Sequence, residues 1–267
     1  MSESTRATSM TDYIEVEEAI DQPGLRVVLT PGIPGPWSES AKAILRVKGL
    51  AHVAARQDVL GPNPALRRWS GQTSAPVVAW KDEPPRSNWL EQLYLFERLA
   101  PEPRMVPSDF ETRVEMLGLA NELMGDDGFI AARRHIMVRD FTRADQDPDT
   151  RKIFTALGEK YGYCDAAAAK APHRCAEILA HFAARLGRIR QGGGRYLMGE
   201  CLTALDLYWA AAAALIEPLP QSDCPMTPLF RSVYTNTDPV VAQAADPALL
   251  EHRDFVYEQH VGLPLEL

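Results

Sequence analysis

The chain has 267 residues, 46% apolar and 24% charged, which is ample to bury a core in one large or two modest domains. Its 28 Lys and Arg against 36 Asp and Glu leave a formal charge of -8 with no basic run, which argues against nucleic acid as a partner. No apolar stretch reaches the roughly 18 residues of a membrane span, and no basic-then-apolar leader opens the sequence, so the expected compartment is the cytoplasm, without membrane or secretion.

Residues 1 to 10 are Ser/Thr-rich and read as disordered. Tyr13 to Ile20 is a short amphipathic extension, closed by Gln22-Pro23-Gly24 and expected to pack rather than act. Leu25 to Leu29 is a strand rich in β-branched residues and flanked by Pro-Gly signals. The loop Thr30 to Trp37 leads to Ser38, a natural N-cap, and to a helix carrying Ala41, Ile44 and Leu45 that Gly49 stops. A second strand is expected at His52 to Arg56, then a short helix or turn at Asn63 to Trp69 with Arg67 and Arg68. Val77 to Trp80 reads as a strand entered through Ala75-Pro76, where proline marks an edge and leaves Ala75 extended and unpaired. Lys81 to Pro85 turns the chain, and Ser87 is the expected cap of a helix bearing Leu90, Leu93, Tyr94 and Phe96.

Three prolines between Ala100 and Pro107 form a stiff connection. Strand signals then nearly vanish. Ser108 to Glu111 reads as a capping box opening one helix, Phe129 to Phe141 forms another with Arg133, Arg134 and His135, and a third runs from about Asp149 to Tyr161. Pro172 is taken as the opening of a long helix with the stripe Cys175, Ile178, Leu179, Phe182, Leu186 and Ile189. Thr203 and Asp206 form an acidic capping box, stapled by Leu202 and Leu207 and followed by the all-apolar run Tyr208 to Ile216 of a central buried helix. Further helix is expected at Leu229 to Tyr234 and after Asp246-Pro247, and the apolar tail Val261 to Leu267 is expected to lie back on the protein. Cys164, Cys175, Cys201 and Cys224 have neither Cys-x-x-Cys spacing nor a His at metal spacing, so they read as reduced, mainly structural thiols with no metal site.

Four of these features, the loop-helix at 30 to 50, Ala75-Pro76, Ser87, and Tyr196 to Asp206, resemble the glutathione transferase superfamily in order and spacing over about residues 25 to 260. The resemblance implies an α/β thioredoxin-like N-terminal domain followed by an all-α C-terminal helical bundle. Its boundaries here are an extension at 1 to 24, a glutathione-binding domain at 25 to 100, a linker at 101 to 107, and a helical substrate domain at 108 to 267. It implies that Pro76 is cis, that the Ala75 backbone pairs with the cysteinyl part of glutathione, and that Ser87 holds the γ-glutamyl end. Arg86, which stands where the family has Glu or Gln, and Trp37 complete the candidate glutathione-binding residues with Ala75, Pro76 and Ser87, and Arg67 or Arg68 is a candidate for the glycyl carboxylate. Between Lys81 and Pro85 there is little room for the family's fourth strand.

Gly35-Pro36-Trp37-Ser38 is similar to the Cys-Pro-aromatic-x turn of the cysteine-type members, with glycine in place of the cysteine. Mixed-disulfide chemistry needs a thiol there and is disfavoured. Activating the glutathione thiol needs only a donor to its sulfur, with Ser38 first, Thr30 second and a backbone N–H at 37 or 38 third. The implied function is a glutathione-dependent transferase acting on a small hydrophobic electrophile, of the kind used in detoxification, with glutathione as co-substrate and a homodimer as the assembly. Gly35 and Arg86 favour the alternative, a non-catalytic binding or structural module. Read without a ligand, Pro76 is an edge-strand proline and Ser38 and Ser87 are helix caps.

Overall fold

The computed structural model describes residues 13–267; the Ser/Thr-rich opening segment lies outside them. The α/β portion is organised around β1 (Leu25–Leu29), buried at all five positions. It is the centre of a three-stranded sheet, parallel to β2 (Val53–Arg56) and antiparallel to β3 (Val77–Trp80). Strand period divides its side chains between two cores. Leu25, Val27 and Leu29 face the main core with Ile44, Leu45 and Phe96, while Val28 packs with Val16, Ala19, Ala65 and Leu66 under α1 (Val16–Ile20) and α3 (Pro64–Ser70). The N-terminal extension packs as expected, and Ile14 also pairs with the outer edge of β2. The fourth strand is reduced to one bridge, Val78 with Arg86, closed by N–H···O bonds of 2.9 and 2.8 Å. Pro84 and Pro85 just before it supply no N–H, which keeps that edge short.

Three caps differ from the sequence reading by one to three residues. α2 (Pro36–Val47) is capped by Gly35 with Pro36 at its first position, so Ser38 lies inside the first turn; proline's fixed φ and missing N–H suit that first position. Asn88, not Ser87, caps α4 (Trp89–Leu99), its side chain accepting from Leu90 N–H at 2.9 Å. Asp109, not Ser108, caps α5 (Phe110–Met124). On α4 the buried apolar residues are Leu93, Leu95 and Phe96, while Tyr94 points outward. Between α4 and α5 the chain is tied down by the buried Lys48 ammonium, which donates to Ala100 O and Pro103 O at 2.7 and 2.9 Å.

The helical portion continues with α6 (Phe129–Phe141), α7 (Pro148–Lys160) and α8 (Asp165–Gln191). Pro172 lies inside α8 rather than at its start. The Ala-rich turns before it are strong helix formers, which carries the helix through a proline that removes one N–H donor from its interior. α9 (Ala204–Ala213) is buried at every position, as its sequence predicts, and carries the Thr203–Asp206 capping box. α10 (Pro228–Tyr234) is followed by α11 (Pro239–Ala244), which the sequence reading did not anticipate, and by α12 (Pro247–Val256), which runs into a π-helical turn at Tyr257–Val261. The tail folds back against α2: Leu265 is buried, and Lys42 donates to Glu266 O.

Candidate functional site

A cavity of about 730 Å³ opens between the two portions of the chain. Its α/β wall is built where β1 ends. Thr30 to Gly35 leads onto the N-terminus of α2, and Trp37 and Ser38, in its first turn, have no intrahelical acceptor for their N–H groups. That end carries positive dipole potential and favours an anionic sulfur or oxygen. Ser38 lines the cavity, is 3% exposed, and its hydroxyl forms no hydrogen bond among the described residues. Ala75 lines it too, through the cis Ala75-Pro76 bond, and its backbone N–H and C=O are likewise unpaired among the described residues. Thr30 is present but committed, its hydroxyl donating to Gln57 Oε1 at 2.8 Å. Gln57 and Asn63 in turn donate to Thr73 O at 3.0 and 3.1 Å, which fixes the floor beside Ala75.

The opposite wall is helical and largely apolar. Ile130, Arg134 and Met137 of α6 recur at helical spacing, as do Ile153, Leu157 and Tyr161 along α7 and its C-cap; Leu215, Phe230 and Val233 complete it. The two walls are joined. Lys160 donates to Val59 O at 2.8 Å and Thr73 O at 3.1 Å, and the Tyr161 hydroxyl lies 3.0 Å from that of Ser74. The Trp37 indole donates to Met124 O at 3.1 Å, and the Arg134 guanidinium stacks on its ring. Burial holds the Arg134 pKa below the usual arginine value.

The structure therefore brings together Thr30, Trp37, Ser38 and Ala75 of the residues singled out from sequence. It separates others from them. Pro76 and Ser87 line a second crevice of only about 10 Å³, with Trp89, Gln92 and Tyr208, and Trp37 borders both spaces. Arg86 borders neither; its guanidinium is 2.6 Å from Glu83 and its backbone is spent on the bridge to Val78. Arg67 and Arg68 are exposed and outside the cavity. Sequence reasoning missed Arg134, Tyr161, Gln57 and Asn63 as lining residues. A signal existed for Arg134, a charged residue in register with Ile130 and Met137 on one helix face. Burial pushes the Cys175 thiol up to about 12 and Cys224 up to about 11, so neither supplies a thiolate.

No protein-family model matches the chain, and no curated protein does. Solved structures do. A glutathione S-transferase domain-containing protein of Marinobacter aquaeolei VT8 superposes with a TM-score of 0.60 at 16% identity, over 86% of this chain and 96% of the other. The fold is that of the glutathione transferases. Maleyl pyruvate isomerase, described as a bacterial glutathione S-transferase in the zeta class, matches with a TM-score of 0.53 at 16% identity, covering 85% of this chain and 92% of its own. A glutathione S-transferase of Methylobacterium radiotolerans JCM 2831, in complex with glutathione sulfonate, gives 0.53 at 16% identity, over 84% and 89% of the two chains. In this fold the cavity lies between the thioredoxin-like portion and the helical portion, and among the described residues no helix is long and apolar enough to cross a membrane.

Proposed function

We propose that the protein is a glutathione-dependent transferase that activates the thiol of glutathione for attack on a small, largely apolar electrophile. Residues 25–100 serve as the glutathione-binding domain and 108–267 as the electrophile-binding domain. The observation that carries this reading is that Ser38 presents an unpartnered hydroxyl, and Ala75 an unpaired backbone, to the same cavity at the N-terminus of α2. A peptide thiol paired with the Ala75 backbone has its sulfur within the influence of that helix end and of the Ser38 hydroxyl, and a donor beside a developing thiolate lowers its pKa. The far wall supplies apolar surface for the second substrate. The γ-glutamyl end is assigned to Ser87, in the crevice that shares Trp37 with the cavity; Arg86, held by Glu83, is not assigned to the ligand.

A homodimer is part of the proposal, through α4 and α5, where Tyr94, Phe110 and Val114 are 45%, 64% and 52% exposed. Such residues gain by burial against a second copy. Light scattering at micromolar concentration tests it, and a monomer refutes it.

Calorimetry with glutathione, followed by thiolate absorbance of the bound peptide across pH, tests the central reading. Binding with a thiolate near neutral pH supports the transferase. No binding removes it. A second reading, a non-catalytic module, is favoured by one observation: Gly35 has no side chain and Thr30 is engaged with Gln57, leaving Ser38 as the sole free hydroxyl among them. Binding without a thiolate selects that module.

A further inference from the structure

Arg133 and Arg134 are neighbours on α6 with different fates. Arg133 is buried and donates through Nε to Leu215 O at 2.8 Å. Arg134 makes no hydrogen bond and no ion pair among the described residues; its guanidinium carbon lies 4.2 Å from the centroid of Tyr161 and 5.1 Å from that of Trp37. Both rings lie within cation–π reach of the guanidinium. Around it the cavity wall is apolar, with Ile130, Met137 and Leu157. The cavity's own carboxylates are engaged elsewhere: Glu15 lies 3.5 Å from Arg56, and Asp58 accepts from Leu60 N–H at 3.2 Å. The exposed carboxylate of Asp126 acts on Arg134 but forms no ion pair with it, and a cation at an apolar wall whose N–H groups are unspent is costly, which a ligand anion relieves.

We propose that Arg134 is the anion-recognition residue of the cavity, and that the electrophile is an apolar molecule carrying a carboxylate. The proposal rests on the transferase reading for the role of that molecule, but not for its binding. A guanidinium that spends no N–H group on the protein offers them in a fixed fork to a planar carboxylate, and the side chain belongs to the helical wall opposite Ala75.

The test uses two matched pairs of ligands in calorimetry: S-hexylglutathione against its ω-carboxyl analogue, and 1-naphthylacetamide against 1-naphthylacetate. In the native protein the carboxylate of each pair should bind about tenfold or more tightly, the yield of a charge-assisted hydrogen bond, and the preference should shrink with added salt. In Arg134→Gln the preference should vanish while affinity for glutathione itself stays unchanged. Equal affinities within the pairs in the native protein overturn the proposal, and that comparison needs no variant to fold. It is also overturned if the preference survives in Arg134→Gln, or if glutathione weakens there as much as its ω-carboxyl conjugate, since Arg134 then holds the peptide's own carboxylate. If no glutathione compound binds but naphthylacetate keeps an Arg134-dependent preference, the transferase reading falls and the anion site stands.

Discussion

Two polar clusters lie inside this protein, and their hydrogen bonds are kept in opposite ways. Around Asp206, wholly buried on α9, almost every bond is closed within the chain. One carboxylate oxygen accepts from Leu197 N–H at 2.7 Å and His252 Nε2–H at 2.9 Å, the other from Thr203 N–H and the Thr203 hydroxyl at 3.0 and 3.2 Å. In the cavity the Ser38 hydroxyl, the Ala75 backbone and the Arg134 guanidinium have no hydrogen-bond partner among the described residues. A buried polar group whose bonds close internally holds the fold, while one left open by a cavity costs stability until a ligand closes it. The rule has exceptions here. His252 Nδ1 and the Tyr208 hydroxyl are buried without hydrogen-bond partners, and burial raises the pKa of the second.

Breaking the closed cluster should have the largest effect. Asp206→Ala strips the acceptor from four donors and should lose about 3 to 5 kcal/mol of stability, read as a lower urea midpoint. A variant as stable as the native chain would refute the structural role given to Asp206. Opening the other cluster further should spare the fold and damage chemistry. Ser38→Ala removes a hydrogen bond to a charged group worth about 1.5 to 3 kcal/mol, so the pH midpoint of bound thiolate should rise by about one to two units. Affinity for S-hexylglutathione and the urea midpoint should barely move; an unmoved thiolate midpoint transfers the role to Thr30 or to the helix N-terminus alone.

Glu39, one residue along α2, sharpens the contrast because its charge is buried with Lys42 as its ion-pair partner, at 2.7 Å. Burial raises its pKa above the usual carboxylate value, against the opposing pull of Lys42. Between the unfolded and the raised native value the native state holds more protons, so stability falls as pH rises through that window. Glu39→Gln should therefore stabilise the protein at pH 7, on the order of 1 kcal/mol, and the gain should disappear in acid below the ordinary carboxylate range. Thermal unfolding of both proteins at the two pH values reads this directly, and a gain equal at both refutes it. The smallest effect belongs to Gly35, where an added Cβ meets nothing within 4 Å and φ is -60°. Gly35→Ser should stabilise the α2 cap by a few tenths of a kcal/mol. It also adds a hydroxyl at the cavity, so the thiolate midpoint should fall slightly; an unmoved midpoint would mean that the new group points away from the sulfur.

Local patterns were enough to place most of the elements. The β-branched run at Leu25 to Leu29, the all-apolar α9 and the Thr203–Asp206 box each declare themselves through spacing and side-chain type, because helix period, strand period and caps are properties of neighbouring residues. Even the missed α11 had a legible start, for Asp238-Pro239 repeats the Asp246-Pro247 signal that opens α12. Cap register was less secure, since Gly35, Ser38, Ser87 and Asn88 can all begin a helix and neighbouring prolines and backbone geometry decide among them. The cavity was only half visible. Its α/β wall follows from one loop, one X-Pro bond and one helix start, but the helical wall depends on how α6 and α7 pack across the gap. Only that packing brings Arg134 within cation–π reach of both Trp37 and Tyr161, residues from three separate segments, and only it leaves Ser87 in a different crevice that Trp37 also borders. Sequence records what each helix face offers; which faces meet, and which polar groups are left open when they do, is decided by the whole core at once.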